Sequence, residues 1–125
     1  MKVRQIVDER FKKTVGKLLD QEMPLKAVIV LKGVVSLLNS EIERYETARQ
    51  ALLNTYGKKD EEGKLVVGEN RHVVFDTENM MAYSKAYSEL CDQDVDVPTL
   101  SAKELGDKLT LTHSDLLTLG DLVST

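Results

Sequence analysis

Residues 25–57 form a long proline-free stretch directly after Pro24, and this stretch constrains the fold more than any other part of the sequence. Pro24 suits the first turn of a helix, where its missing N–H costs nothing, and Gly57 suits a left-handed cap at the end. At about 1.5 Å per residue, one helix over this range is roughly 50 Å long. A compact domain of this size has a radius of gyration of about 14 Å, so other parts of the chain or a second chain must cover the helix.

The apolar residues of this predicted helix follow two patterns. In residues 25–38 they occur on several faces, which predicts burial on most sides. From Asn39 onward they thin to one stripe, whose steps alternate between three and four residues as in a coiled-coil seam. Arg49 is its one charged interruption. The full seam consists of Val28, Leu31, Val35, Leu38, Ile42, Tyr45, Arg49, Leu52 and Tyr56.

The second half of the seam offers a possible interaction surface, formed by Tyr45, Arg49, Leu52 and Tyr56. Its tyrosines suit either the core of a helix pair or a protein interface, where amphipathic aromatic side chains are favoured. Arg49 also has two interpretations. Its stem can pack while the guanidinium reaches solvent or an acid such as Glu46, or it can pair with an acid of another chain and fix the register.

Three shorter helices and a β-hairpin are predicted around the long helix. Amphipathic spacing and capping residues place the helices at about residues 3–19, 77–91 and 113–122, and turn residues place the hairpin at about 64–75. Because the hairpin reverses the chain, the helix after it should pack antiparallel on the long helix. The predicted fold is mainly α (α+β). It is a helix-dominated single domain over residues 1–125, with a long central helix, an antiparallel helix partner and a small β-hairpin.

The C-terminal tail carries two patterns typical of helix starts, Ser-Ala-Lys-Glu at 101–104 and Thr-His-Ser-Asp at 112–115. They predict a single helical turn at 102–105 before the last helix, with a short strand at 108–111 between the two. The tail has too many leucines for a disordered linker. It is expected to be either a lid on the same core or a docking segment for a partner.

Composition favours a cytosolic protein. The net charge of −4 and the pI of about 5.2 argue against non-specific binding to nucleic acid or to an anionic membrane. Cys91 is the single cysteine, so no intrachain disulfide can form. The N-terminus lacks the apolar core of a signal peptide, and the longest apolar run, residues 27–38, is too short to span a membrane. No nucleic-acid or membrane partner is therefore expected.

No catalytic residue, cofactor-binding residue or metal ligand is predicted. The glycines and lysine of residues 57–65 superficially resemble a phosphate-binding loop. However, the glycines are one residue too far apart, no hydroxyl residue follows the lysine, and three acids lie where phosphates would bind. His72 and His113 fall in different elements, and the acids after Cys91 disfavour its thiolate. We expect neither an enzyme nor a bound cofactor.

Four segments carry a resemblance to a known family. They are Met-Pro-Leu-Lys-Ala at 23–27, the helix end at 43–57, Lys-Lys-Asp-Glu-Glu-Gly at 58–63, and the leucine-rich ending at 109–122. Together they resemble a family of small uncharacterised proteins from tailed bacteriophages and prophages. The sequence departs from that pattern at residues 72–75 and at Cys91. The resemblance implies a phage setting, and therefore a location in the host-cell cytoplasm or in the virion, and it implies no activity.

The residues and the resemblance together predict a non-enzymatic bacteriophage protein that acts by protein–protein contact. It would be a virion or assembly component, or it would self-associate as a homo-oligomer. The alternative is a counter-defence or host-takeover factor, which would bind a host protein or sequester a small signalling molecule. In either case the expected partner is a protein: the chain itself, a phage protein or a host protein.

Overall fold

The computed structural model describes residues 1–124 and confirms the mainly α fold. Two-residue strands β1 (Leu100–Ser101) and β2 (Val123–Ser124) pair in parallel, with Leu100 opposite Val123. A 3₁₀ turn, Gly120–Leu122, precedes β2. The helices are α1 (Val3–Ile6), α2 (Glu9–Leu19), α3 (Leu25–Tyr56), α4 (Thr77–Cys91), α5 (Ala102–Leu105) and α6 (His113–Leu119).

The prediction of one helix over residues 3–19 is wrong, because the chain breaks between α1 and α2. Asp8 has extended backbone angles, and its carboxylate accepts a hydrogen bond from the backbone N–H of Arg10 at 2.8 Å. A short acidic side chain that binds the backbone in this way starts a new helix instead of continuing the old one. Val3 and Ile6 of α1 are nevertheless both buried.

The chain forms two compact units, and α3 contributes to both. Residues 1–42 and 94–124 make up the first unit, and residues 43–93 make up the second. The boundary falls inside a continuous helix, and no proline or glycine run marks it. The apolar pattern changes at Asn39, four residues before Glu43, but without a break in the helix this change does not by itself predict two units.

In the first unit, the C-terminal tail covers the N-terminal helices. Leu100, Leu105, Leu119 and Leu122 of the tail are fully buried, and so is Leu18 of α2. Helix α6 packs mainly on α2. The tail is therefore a lid on the core of this unit, which decides between the two roles that the sequence leaves open.

Polar contacts attach the two ends of the chain to each other. The amino group of Met1 donates to the Val95 carbonyl at 3.0 Å, and the Val95 N–H donates to the Met1 carbonyl at 2.7 Å. Lys17 of α2 donates to the Asp115 carboxylate at 2.6 Å, and the Thr112 N–H donates to the same oxygen at 3.0 Å. The hydrogen bond from Lys17 is the main reason why the pKa of Asp115 lies below its ordinary value.

The tail departs from the prediction in two places. The strand predicted at residues 108–111 is wrong: the N–H and hydroxyl of Thr110 both donate to the side-chain oxygen of Gln21, at 3.0 and 2.9 Å, so a side chain takes the place of a second strand. The predicted helix at 113–122 ends early at Leu119, because Gly120 adopts a φ of 54° and the chain continues as a 3₁₀ turn.

In the second unit, the end of α3 and α4 run antiparallel. The hydroxyls of Tyr45 and Tyr87 lie 2.6 Å apart. Lys58, just after α3, donates its N–H to the carbonyl of Val74, just before α4, at 2.8 Å. Contacts that advance along one helix and retreat along the other define opposite directions, so the predicted antiparallel helix partner is confirmed.

A closed triangle of backbone hydrogen bonds connects these two helices; we call it the backbone triangle. Lys58 donates to the Val74 carbonyl at 2.8 Å, Val74 donates to the Val66 carbonyl at 2.9 Å, and Val66 donates to the Lys58 carbonyl at 2.8 Å. The three residues are eight positions apart. The same spacing separates Gly63 and Arg71, which both have a left-handed φ, at 80° and 63°. The segment between α3 and α4 is therefore a repeat in backbone conformation, and its sequence shows no matching repeat of residue types.

The predicted hairpin at 64–75 forms one side of this arrangement. Val67 and Val73 make an antiparallel bridge, and a second antiparallel bridge joins Lys59 to Leu65. The hairpin thus has a third extended segment beside it, which follows α3 directly. This extra pairing satisfies backbone groups that an isolated hairpin would leave to water.

Gly57 is needed for a different reason from the one predicted. Its φ is not left-handed. A Cβ added there would lie 2.5 Å from the Leu53 carbonyl oxygen, 2.7 Å from Leu65 and 2.9 Å from Val73. The residue is therefore a point of close approach, where the helix end meets the side chains of the hairpin.

The buried tail leucines give the first prediction. Leu119→Ala should lower the free energy of unfolding by about 2–5 kcal/mol, because it leaves a cavity under the lid. Leu117→Ala is the matched control on the same helix, since Leu117 is 69% exposed. Urea denaturation followed by circular dichroism measures both values, and equal effects of the two substitutions would show that the tail does not close the core.

Close approach at Gly57 gives the second prediction. Gly57→Ala should destabilise the protein by about 1–3 kcal/mol, as overpacking does, because the new methyl group meets a backbone oxygen. Gly33→Ala is the control: a Cβ there meets nothing within 4 Å, and alanine in a helix interior should raise stability by about 0.5–1 kcal/mol. Thermal melts of the two variants should therefore shift in opposite directions. A shift of the same sign for both would contradict the role assigned to Gly57.

Candidate interaction surfaces

The first half of α3 exposes apolar side chains that the sequence predicts to be buried. Its inward face is formed by Ala27, Leu31, Val34 and Leu38, all of which are buried. Leu25 and Ile29 each precede a residue of this inward face by two positions, which turns them to the opposite side of the helix. They are 74% and 64% exposed. The prediction of burial on most sides of residues 25–38 is therefore wrong.

The exposure follows from how the lid is placed. The tail leucines are buried in the first unit, and α6 packs mainly on α2. In that unit α3 is therefore covered along one face. Val28 and Val30 are also exposed, at the edges of the open face. A helix with apolar residues on two opposite faces needs two partners, and the described chain supplies one.

A separate apolar groove of about 190 Å³ lies between α2 and α3. Lys12 and Asn39 are its polar members. Leu19, at one end, is half exposed, and Gly16 leaves room because a Cβ there would meet nothing within 4 Å. Its apolar walls are formed by Ile6, Phe11, Val15, Leu19, Val35, Leu38 and Ile42. We call it the α2–α3 groove.

Three lysines belong to this part of the chain, Lys12 on α2 and Lys26 and Lys32 on α3. Lys26 and Lys32 are exposed on α3, and within residues 1–124 no acid forms an ion pair with either of them. Lys12 is 3.5 Å from Glu9, an exposed pair that contributes little to stability. Glu22, which precedes α3, pairs with Lys108 of the tail.

The second candidate surface is the seam predicted around Tyr45. The structure places Tyr45 in the core of the second unit, 8% exposed, while Arg49, Leu52 and Tyr56 are half-buried. Leu53, which the seam spacing does not include, is buried more deeply than Leu52. The seam thus turns partly inward, and the proposal that these four residues contact a partner stays a prediction.

Arg49 finds its contacts within its own unit. Its guanidinium is 4.0 Å from the Glu46 carboxylate, one turn earlier on α3, and its charge lowers the pKa of Tyr83 against the effect of burial. The contact with Glu46 agrees with a packed stem whose head lies near an acid of its own chain, and pairing with an acid of another chain stays a prediction.

Aromatic rings line the contact between α3 and α4. The rings of Phe75 and Tyr83 are 4.6 Å apart, those of Tyr83 and Tyr87 stack at 5.7 Å, and Tyr87 meets Tyr45 edge to face at 6.3 Å. Arrangements of this kind stabilise a core beyond the area that they bury. The four rings therefore form a continuous series of aromatic contacts, which we call the tyrosine stack.

Two tyrosines of this stack have raised pKa values. The hydrogen bond with Tyr45 is the largest cause for Tyr87, and burial adds to it, so the pKa of Tyr87 is raised well above 10. Burial raises the pKa of Tyr83, against the lowering effect of Arg49. The buried thiol of Cys91 also raises the pKa of Tyr87. These shifts reflect a packed core and provide neither a base nor a nucleophile at neutral pH.

Within residues 1–124 no group of three or more His, Cys, Asp or Glu side chains is arranged to hold a metal ion. In the same range, no helix is long and apolar enough to cross a membrane. His72 and His113 are both exposed and lie in different units. Comparison with protein-family models, with curated proteins and with solved structures finds no match to this chain.

A signal for the open face of α3 was present in the sequence. Leu25 and Ile29 are four positions apart, so they share one face of the helix, and the same is true of Ala27 and Leu31. The second pair is shifted by two positions and therefore lies on the opposite face. Such a pattern indicates two apolar faces on one helix. It does not say which face the chain itself covers.

Titration of the tyrosine stack gives the third prediction. A raised pKa means that Tyr87 contributes stability that is complete below the unfolded value of about 10 and is lost as the pH rises from there through the folded value. Tyr87→Phe removes this titration. Its free energy of unfolding should therefore fall less steeply than that of the wild type between about pH 9 and 11.

Urea denaturation at a series of pH values measures the two slopes. Tyr56→Phe is the control, because the structure shows no hydrogen bond from the Tyr56 hydroxyl to any of residues 1–124. It should keep the wild-type slope. If Tyr87→Phe also kept the wild-type dependence of unfolding free energy on pH, the hydrogen bond between Tyr45 and Tyr87 would not be what disfavours ionisation of Tyr87.

Proposed function

We propose that this chain is a bacteriophage protein without enzymatic activity that acts by protein–protein contact, as a component of the virion or of its assembly. The observation that carries the proposal is the open apolar face of α3. Leu25 and Ile29 are large aliphatic residues that lie mostly in solvent. Exposed apolar patches of this kind mark interaction sites on soluble proteins.

Two further points support the proposal. Several polar groups of the described chain have structural uses: Asp8 and Thr112 cap helices, Lys17 pairs with Asp115, and the hydroxyls of Tyr45 and Tyr87 pair with each other. The segments at 43–57 and 109–122 carry the resemblance to proteins of tailed phages. Contact with another protein is the function that uses the open face of α3.

Virion composition gives the fourth prediction. In virions purified from the encoding phage, mass spectrometry should detect the chain at a fixed ratio to the capsid protein. Ile29→Asp should reduce its incorporation by about tenfold or more, because the substitution puts a charge into the apolar contact. Met81→Asp is the control, since Met81 is 73% exposed on α4 and lies outside the open face of α3.

Absence of the chain from both virions and assembly intermediates would contradict the proposed function. Normal incorporation of the Ile29→Asp variant would exclude this surface as the point of contact. Recovery of the chain from infected cells as a stoichiometric complex with a host protein would instead identify the host-directed factor.

A further inference from the structure

The α2–α3 groove is an apolar concavity inside the first unit. Phe11, Val15 and Leu38 line it and are buried, whereas Leu19 is half exposed, so the groove has a closed floor and an open mouth. Gly16 leaves a gap in the α2 wall, because a Cβ there would meet nothing within 4 Å. The space between the two helices is therefore open to a molecule from solvent.

The volume of the groove, about 190 Å³, sets the size of its occupant. Apolar cavities of about 150 Å³ stay dry and bind molecules of the size of benzene, so this groove accommodates about six to eight carbons. Drug-sized ligands need about 300–1,000 Å³ and are too large for it. A bound protein helix would use such a volume for only one or two of its side chains, which favours a small molecule as the ligand.

Both polar residues that line the groove, Lys12 and Asn39, offer hydrogen-bond donors. Lys12 lies on the same side of α2 as Gly16 and Leu19, because the three follow the helical spacing i, i+4 and i+7. Its side chain is 35% exposed, so the stem packs on the protein while the ammonium reaches solvent. Asn39 is exposed on α3, which leaves its amide accessible at the rim.

The charge of the rim selects an anionic head group. No acid is among the described residues that line the groove. Glu9 lies 3.5 Å from Lys12 but is 86% exposed, and such a pair contributes little, so a second anion can approach the ammonium. A carboxylate accepts hydrogen bonds from an ammonium and from an amide, whereas an aliphatic amine would bring its charge next to Lys12.

We propose that the α2–α3 groove binds a small aliphatic carboxylate, a straight-chain fatty acid of about eight carbons. The chain lies in the apolar trough, and the carboxylate accepts hydrogen bonds from Lys12 and Asn39. Leu25 and Ile29 lie on a different side of α3 from this groove. The inference therefore goes beyond the proposed function and does not depend on it.

Titration of the full chain with straight-chain acids from butanoate to dodecanoate, followed by NMR, tests the ligand class. Affinity should rise by up to about fourfold for each methylene as far as octanoate, because each added group is buried. Beyond octanoate it should level off, because the groove is full. Octan-1-ol has the same length without the charge and should bind about tenfold more weakly. The amide signals of Gly16 and Val35 should shift in each case.

Two substitutions locate the site. Gly16→Leu puts a side chain into the groove and should weaken octanoate binding by about tenfold or more. Gly33→Leu is the matched control, since a Cβ at Gly33 also meets nothing within 4 Å and the residue does not line the groove. Lys12→Gln should weaken octanoate by about tenfold and leave octan-1-ol unchanged, because it removes only the charge, and Lys26→Gln should bind like the wild type.

Four outcomes overturn the proposal: no binding of octanoate at millimolar concentration, equal affinity for octanoate and octan-1-ol, affinity that keeps rising to dodecanoate, and octanoate binding that survives Gly16→Leu. The first three need only the wild-type chain, so they hold even if a variant fails to fold. Circular dichroism checks the fold of each variant. None of these results changes the expected incorporation into virions, so failure of the ligand site and failure of the proposed function are distinguished.

Discussion

Burial of the tail leucines is the interaction on which the first unit depends. Leu105, Leu119 and Leu122 have no exposed surface, and each fully buried leucine contributes about 1.5–3 kcal/mol. Their docking brings α6 onto α2 and pairs β1 with β2. Because the lid is directed there, α3 is left with one covered face and one open face. The surface proposed for a partner is thus a result of how the core closes.

Local sequence patterns predicted many of the helices, and they predicted few of the contacts between separate elements. Helix α4 begins and ends where capping and apolar spacing place it, and Thr112 with Asp115 forms the predicted capping box. The missed features have different causes. Thr110 binds Gln21, which is 89 positions away in the sequence. The backbone triangle is made by main-chain groups, which leave no trace in residue type, and the break at Asp8 is a local capping contact with Arg10 that the amphipathic pattern hides.

The candidate surfaces show the same limit. Periodicity correctly placed Tyr45 on the contact with α4, because the partner helix follows closely in the sequence. It failed for Leu25 and Ile29, because it identifies an apolar face without saying whether the chain covers it. Coverage depends on where the tail docks, about 90 residues away, and no local pattern in residues 25–38 contains that information.

The contact between the two ends of the chain also sets an order of events during synthesis. Lys17 and Asp115 are 98 positions apart, so at about 5–20 residues per second the ribosome needs roughly 5–20 s to reach the partner of α2. Residues 43–93 are contiguous and are complete well before then. The second unit can thus form while the inner faces of α1 and α2 still lack their lid, which leaves a nascent chain with exposed apolar helices at its start.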